Sequence, residues 1–225
     1  MIECCANSIQ SALNGEQGGG TRIELCTKLE LGGITPKRKD ILKTKKALTI
    51  PICILIRPRS GDFIYSQDEL SQMFSDIQFC KTVGCERIAI GALKKDGSIN
   101  MKQTKQMVRA AMPMRVTFHR AFDEGNDLQK NLEDVIACGC DTLLTAGQSK
   151  NVNSGISNLK KLIKLAKERI AILAGSGVNH TNVEALYKIG IRNFHLSGST
   201  KYLKDELKTD PVLIKKMKNK LDQIA

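Results

Sequence analysis

The chain has 225 residues, 41% of them hydrophobic and 26% charged, which describes a folded globular protein and excludes a disordered one. The formal net charge of +12 raises the question of a nucleic-acid partner. The chain has no Trp, only six Phe and three Tyr, and its basic residues are scattered, so the pattern lacks the aromatic platforms and single basic face of such proteins. The run Lys37 to Lys46 and the tail Lys215 to Lys220 read as solvated helix faces. No membrane span is expected, because the apolar stretch Leu48 to Ile56 is short and broken by Pro51. The first residues lack a basic start, so no signal peptide is expected.

In chain order, eight short strands are expected at Ile2 to Ala6, Arg22 to Cys26, Ile50 to Ile56, Arg87 to Ala92, Met114 to His119, Thr142 to Thr145, Ile170 to Ala174 and Asn193 to Ser197. A glycine recurs four positions before an apolar strand residue, as Gly19 to Ile23, Gly84 to Ile88, Gly139 to Leu143 and Gly190 to Phe194. Each follows an amphipathic stretch and reads as the stop after a helix. Between strands, Leu70, Met73, Phe74, Ile77 and Cys80 repeat at helical spacing, as do Leu159, Leu162, Ile163 and Ala166. Alternating strands and helices favour parallel pairing through right-handed crossovers. Eight units in one chain predict a single α/β domain over residues 1–225, a (β/α)8 TIM barrel, with an open doubly wound sheet as the rival.

In such a barrel the chemistry sits at the carboxyl ends of the strands. Strand alternation puts Glu3 and Cys5 on one face with Cys4 opposite, and Glu24 and Cys26 on one face with Leu25 opposite. If the carboxylates face the lumen, both thiols follow them. The strand-end residues Arg57, His119 and His195 are expected to converge on the same region, which makes Glu3, Glu24, Arg57, His119 and His195 the catalytic candidates. The turns Gly175-Ser176-Gly177 and Ser197-Gly198-Ser199 follow strands seven and eight, where many barrels hold phosphate, and Arg57 and Arg59 are suited to gripping an anion. The remaining cysteines, Cys4, Cys53, Cys80, Cys85, Cys138 and Cys140, read as buried apolar side chains, and their spread fits a reducing compartment better than a disulfide framework.

Several strings are longer and more specific. They are Glu24-Leu25-Cys26, Gly32-Gly33-Ile34-Thr35-Pro36, Arg57-Pro58-Arg59 followed by Gly61-Asp62-Phe63, Thr117-Phe118-His119-Arg120-Ala121-Phe122-Asp123, Gly175-Ser176-Gly177-Val178 and the stretch His195 to Ser197. In these the sequence resembles the CutC copper-homeostasis family over residues 3 to about 199. The resemblance implies a cytoplasmic (β/α)8 barrel, often a homo-oligomer, with a copper ion as partner. It also implies Cu(I) ligation by the cysteines matching Cys5 and Cys26, the two thiols that strand alternation selects separately. The chain departs from the family pattern at Ala146, where Ser is common, and at Ser176, where Gly is common.

Two thiolates on neighbouring strands suit Cu(I), whereas zinc would need four ligands and could recruit His119 or His195. Glu3 and Glu24 should raise the pKa of the thiols and Arg57 should lower it, leaving the balance open. No organic cofactor is inferred. The alternative to copper handling is an enzyme acting on a small anionic metabolite, phosphate- or carboxylate-bearing, with Glu24 and His119 trading protons.

Overall fold

The computed structural model describes residues 1–201 and 207–224. Eight parallel strands close into a barrel in sequence order: β1 (Ile2–Ala6), β2 (Arg22–Leu25), β3 (Ile52–Leu55), β4 (Arg87–Ile90), β5 (Arg115–Phe118), β6 (Thr142–Thr145), β7 (Ala171–Ala174) and β8 (Asn193–Leu196). Closure is made by β1 pairing with both β2 and β8, so no open sheet edge remains in the barrel and the doubly wound alternative is set aside. The helices are α1 (Ile9–Gln17), α2 (Arg38–Ala47), α3 (Gln67–Thr82), α4 (Met101–Ala111), α5 (Leu128–Ala137), α6 (Ile156–Ala166), α7 (Val183–Lys188) and α8 (Pro211–Ile224). The molecule is a (β/α)8 TIM barrel. None of its described helices is long and apolar enough to cross a membrane.

All eight expected strands are present, most of them a residue or two shorter at the ends. The glycines that end helices before β2, β4, β6 and β8 have φ of 96°, 70°, 85° and 104° at Gly19, Gly84, Gly139 and Gly190. This is the left-handed conformation in which a Cβ is penalised. One feature was not expected from sequence. After β8 the chain forms β9 (Ser199–Lys201), antiparallel to β10 (Leu207–Thr209), before α8 begins. The pair is held against α1 by hydrogen bonds from Asn7 Nδ2 to Leu207 O (2.7 Å) and from Asn14 Nδ2 to Thr209 O (2.8 Å).

Strand alternation divides the interior into two populations. Ile52, Ile54 and Ile56 on the β3 segment join Ile23, Leu25, Ile88 and Ile90 in the layer between barrel and helices. Their alternates Cys53 and Leu55 join Cys5, Cys26 and Ala89 in a separate cluster inside the barrel. The base of the lumen is polar. Arg87 Nη1 donates to Thr117 Oγ1 (3.2 Å) and Thr142 Oγ1 (3.1 Å), and Arg22 Nε donates to Glu3 Oε2. Buried polar groups of this kind need partners, and these side chains find them on strands one or two places along the barrel wall.

Near the opposite end, Asp123 ties loops together. Its carboxylate accepts from the Ala146 N–H (3.0 Å), the Gln148 N–H (3.0 Å), Thr145 Oγ1 and Arg120 Nε (2.8 Å). Replacing Asp123 with Ala strands these donors, and a cost on the order of 3 kcal/mol is expected in urea unfolding. A loss below about 1 kcal/mol would show that the loops hold without it.

Candidate metal centre

The site is assembled by β1, β2 and β8. In the parallel register Cys5 lies opposite Glu24, and Glu3 lies opposite both Arg22 and His195. That register sets the thiol, the carboxylate and the imidazole side by side. Cys5 Sγ donates to Glu24 Oε2 at 3.5 Å, and His195 Nε2 lies 3.7 Å from the same oxygen. One ligand atom from each of Cys5, Glu24 and His195 falls within 4.8 Å of the other two. Cys26 Sγ is 3.8 Å from Cys5 Sγ. All four side chains are buried.

Below them Glu3 is fully buried and anchors the group. Burial alone would raise its pKa, but the hydrogen bond and charge of His195, together with Arg22, hold it at about 2. An ionised Glu3 can only accept, so His195 Nδ1 carries the proton in their 2.8 Å bond. That leaves Nε2 as the imidazole nitrogen facing Glu24 and Cys5, the arrangement in which a carboxylate orients a metal-binding histidine. Burial acts to lower the His195 pKa, and the charges of Glu24 and Glu3 overcome it and raise the value. The Glu24 pKa is raised, first by burial, and its Oε1 has no partner among the described residues.

The Cys5 thiol is pushed well up, by its contact with Cys26, by burial and by the Glu24 charge. The balance left open by the sequence therefore falls on the side of the carboxylates. Arg57 does not counter them. Its Nη1 donates to Leu31 O (3.4 Å) and Gly33 O (3.1 Å), its Nη2 donates to Gly61 O (2.6 Å), and its guanidinium lies over the Phe63 ring at 4.6 Å. It lines the mouth and clasps the loops after β2 and β3.

The other expected residues divide clearly. Arg59 does not reach the mouth; its donors go to Glu69, Asp62 and the Ile64 carbonyl, because the turn after β3 carries it back toward the start of α3. His119 stands on the wall of the same cavity but outside the Cys5–Glu24–His195 group, and the imidazole in contact with Glu24 is that of His195. Its Nδ1 accepts the Ala121 N–H at 3.1 Å, and burial with the nearby Arg57 charge lowers its pKa to about 3. Ser176, Gly177, Ser197 and Gly198 line the mouth, whereas Gly175 lies behind it. A Cβ at Gly175 would meet the Leu144 side chain at 2.5 Å, so its bare backbone makes room for that residue.

Two participants were missed from the sequence, Arg22 and Arg87. Arg22 shares a face with Glu24 by the same alternation, and Arg87 with Ala89. That signal was available in the strand pattern, which already begins two strands at these residues.

A family model for the CutC family matches residues 1–200. The chain belongs to the CutC family. A CutC protein of Vibrio campbellii is 42% identical over 203 residues, 89% of this chain and 82% of that protein. A CutC protein of Parabacteroides distasonis is 42% identical over 216 residues, 94% of this chain and 88% of its own. Among solved structures, one from Streptococcus agalactiae, provisionally named a copper homeostasis protein CutC, superposes with a TM-score of 0.83 at 28% identity. It covers 88% of this chain and 98% of its own. A thiamine phosphate pyrophosphorylase from Pyrococcus furiosus, 12% identical with a TM-score of 0.65, covers 99% of this chain and 96% of its own and shares the fold alone.

The Glu3–His195 pair gives the metal-free protein a defined pH response. Glu3 has a depressed folded pKa, so its contribution is present above its ordinary value near 4.5 and is lost as pH falls toward about 2. His195 has a raised folded pKa, so its contribution is complete below its ordinary value near 6.5 and is lost as pH climbs through the folded value. The pair should stabilise most between those two ordinary values. Thermal unfolding across pH should show this bulge in the native chain, and Glu3→Gln should flatten it. An equal bulge in that variant would rule out Glu3 as the source.

Proposed function

We propose that this protein handles copper, binding Cu(I) through Cys5 and Cys26 at the barrel mouth and passing it on in the cytoplasm. The carrying observation is the 3.8 Å separation of the two sulfurs on neighbouring strands. Metal–thiolate bonds of about 2.3 Å span such a pair with one ion between them. Soft sulfur donors favour Cu(I) over the harder ions that carboxylates select. The family name carried by relatives, and the copper homeostasis named for the Streptococcus agalactiae structure, support the same reading.

The chemistry of the donor set fits this cargo. His195 Nε2, oriented by Glu3, is placed to add a nitrogen, and the unpartnered Glu24 Oε1 lies in a residue that already touches Cys5. Glu24 also offers a first acceptor for the proton that Cys5 must lose, because the thiol already donates to it. A thiol held this firmly in its protonated form makes loading a proton-coupled event, so Cu(I) competes with protons for the sulfur. Release is thereby favoured wherever a partner offers thiolates at lower cost. The eight buried cysteines, all free thiols, fit a reducing compartment.

Anaerobic competition against a chromophoric Cu(I) chelator should give tight binding in the native chain. The Cys5→Ser, Cys26→Ser double variant should lose affinity on the order of a thousandfold while keeping its far-UV circular dichroism. Native affinity should also fall about tenfold for each thiol proton displaced per pH unit. Unchanged stoichiometry and affinity in the double variant would remove the reading, as would a clear preference of the native site for Zn2+ over Cu(I).

A further inference from the structure

The mouth is far larger than an ion requires. The cavity above the metal cluster measures about 990 Å³, the size of sites that enclose small organic molecules. Its wall carries hydrogen-bonding groups that the metal reading does not use. On the side of the loop after β7, the N–H groups of Ser176, Gly177 and Val178 meet no acceptor among the described residues. The neighbouring carbonyls explain how they are displayed. Ser176 O accepts the Val152 N–H at 3.0 Å, and Gly177 O accepts the side-chain amides of Asn179 (3.1 Å) and Asn182 (2.8 Å). The C=O and N–H of one planar trans peptide point in opposite directions. The N–H groups of Gly177 and Val178 are therefore turned away from those partners.

A second, separate observation comes from the side chains. His119 lines the same cavity, is 4% exposed, and spends Nδ1 as an acceptor, so its proton is on Nε2. That Nε2 has no hydrogen-bond partner among the described residues. A buried donor with nothing to bond is costly unless a ligand completes it. Glu24 Oε1, which the copper reading also draws on, is a second atom of the cavity wall with no hydrogen-bond partner among the described residues. Lys94, Lys95 and Arg120 line the cavity too, against Asp62 and Glu124.

We propose that the barrel mouth binds a small phosphorylated organic molecule, with its phosphate on the N–H groups of residues 176–178 and an oxygen of its body at His119 Nε2. Three successive backbone donors match a phosphate's three oxygens better than the two of a carboxylate, and backbone N–H groups at this end of a barrel are suited to that anion. The apolar side chains Leu55, Phe63 and Leu144 line the rest of the space and fit a carbon skeleton. A hydroxyl of that skeleton would satisfy Glu24 Oε1. This assignment stands without the copper reading, since it draws its main contacts from β5 and the loop after β7.

The test uses metal-free, reduced, full-length protein labelled with 15N. Ribose 5-phosphate, glycerol 3-phosphate and inorganic phosphate are titrated in turn, with ribose and glycerol as unphosphorylated controls. At least one ester should shift the amide resonances of residues 176–178 and saturate at least tenfold below inorganic phosphate, with no shift from either control. His119→Phe keeps a planar ring and removes the donor; it should weaken the ester at least fivefold and leave inorganic phosphate unchanged. The proposal is overturned if those amides stay in place with all three phosphate compounds at millimolar concentration. It is equally overturned if inorganic phosphate binds as tightly as the esters. Should His119→Phe fail to fold, the native titrations alone decide between these outcomes.

Discussion

Burying a carboxylate inside a barrel costs several kcal/mol unless cations and donors meet it. Glu3 is the residue on which the mouth depends, because it is met from both sides. Arg22 pairs with one oxygen and His195 with the other, and each comes from a strand directly hydrogen-bonded to its own. Removing any one member leaves an unpaired charge or donor in a place water does not reach. The consequence for chemistry is orientation. Because Glu3 takes Nδ1, the free nitrogen of His195 faces the thiol of Cys5 and the carboxylate of Glu24.

Above Glu3, the pKa values of Cys5, Glu24 and His195 are all raised. Burial and mutual contact push the Cys5 thiol and the Glu24 carboxyl toward their neutral states, and the charges of Glu24 and Glu3 raise the His195 pKa against its burial. A site of this kind is quiet until something binds that repays the loss of the proton. The opposite wall differs in character. His119 is neutral there, Arg57 is occupied with loop carbonyls, and the backbone donors after β7 stand open. Soft donors and backbone N–H groups thus line one cavity of about 990 Å³.

Much of this was legible in the chain before any coordinates. Alternation along two strands assigned Glu3, Cys5, Glu24 and Cys26 to one face, and the separate clustering of Cys5 and Cys26 with Cys53 inside the barrel agrees with it. The side-chain period of a strand is two, so the argument needs only a correct strand and one inward residue. It failed where long side chains choose their own direction. Arg59 follows Arg57 by two positions, yet β3 has already ended and a turn sends it to Glu69. Likewise His119 and His195 are both strand-end histidines, and nothing local separates the one beside the thiols from the one across the cavity. Cys53 was read as a buried apolar side chain; it lies inside the barrel, clustered with Cys5 and Cys26 and fully covered.

The sequence alone determined the number and order of the eight barrel strands, the glycine stops that end four of the helices, and which residues of those strands share a face. Those properties depend on neighbours within a few positions, where covalent geometry and hydrophobic spacing suffice. Tertiary structure decided the rest. Closure of β8 onto β1 brought His195 to Glu3 across 192 positions of chain, and the register between β1 and β2 set the two sulfurs 3.8 Å apart. Such distances follow from how strands slide and tilt to close a barrel, and no local pattern encodes that sum.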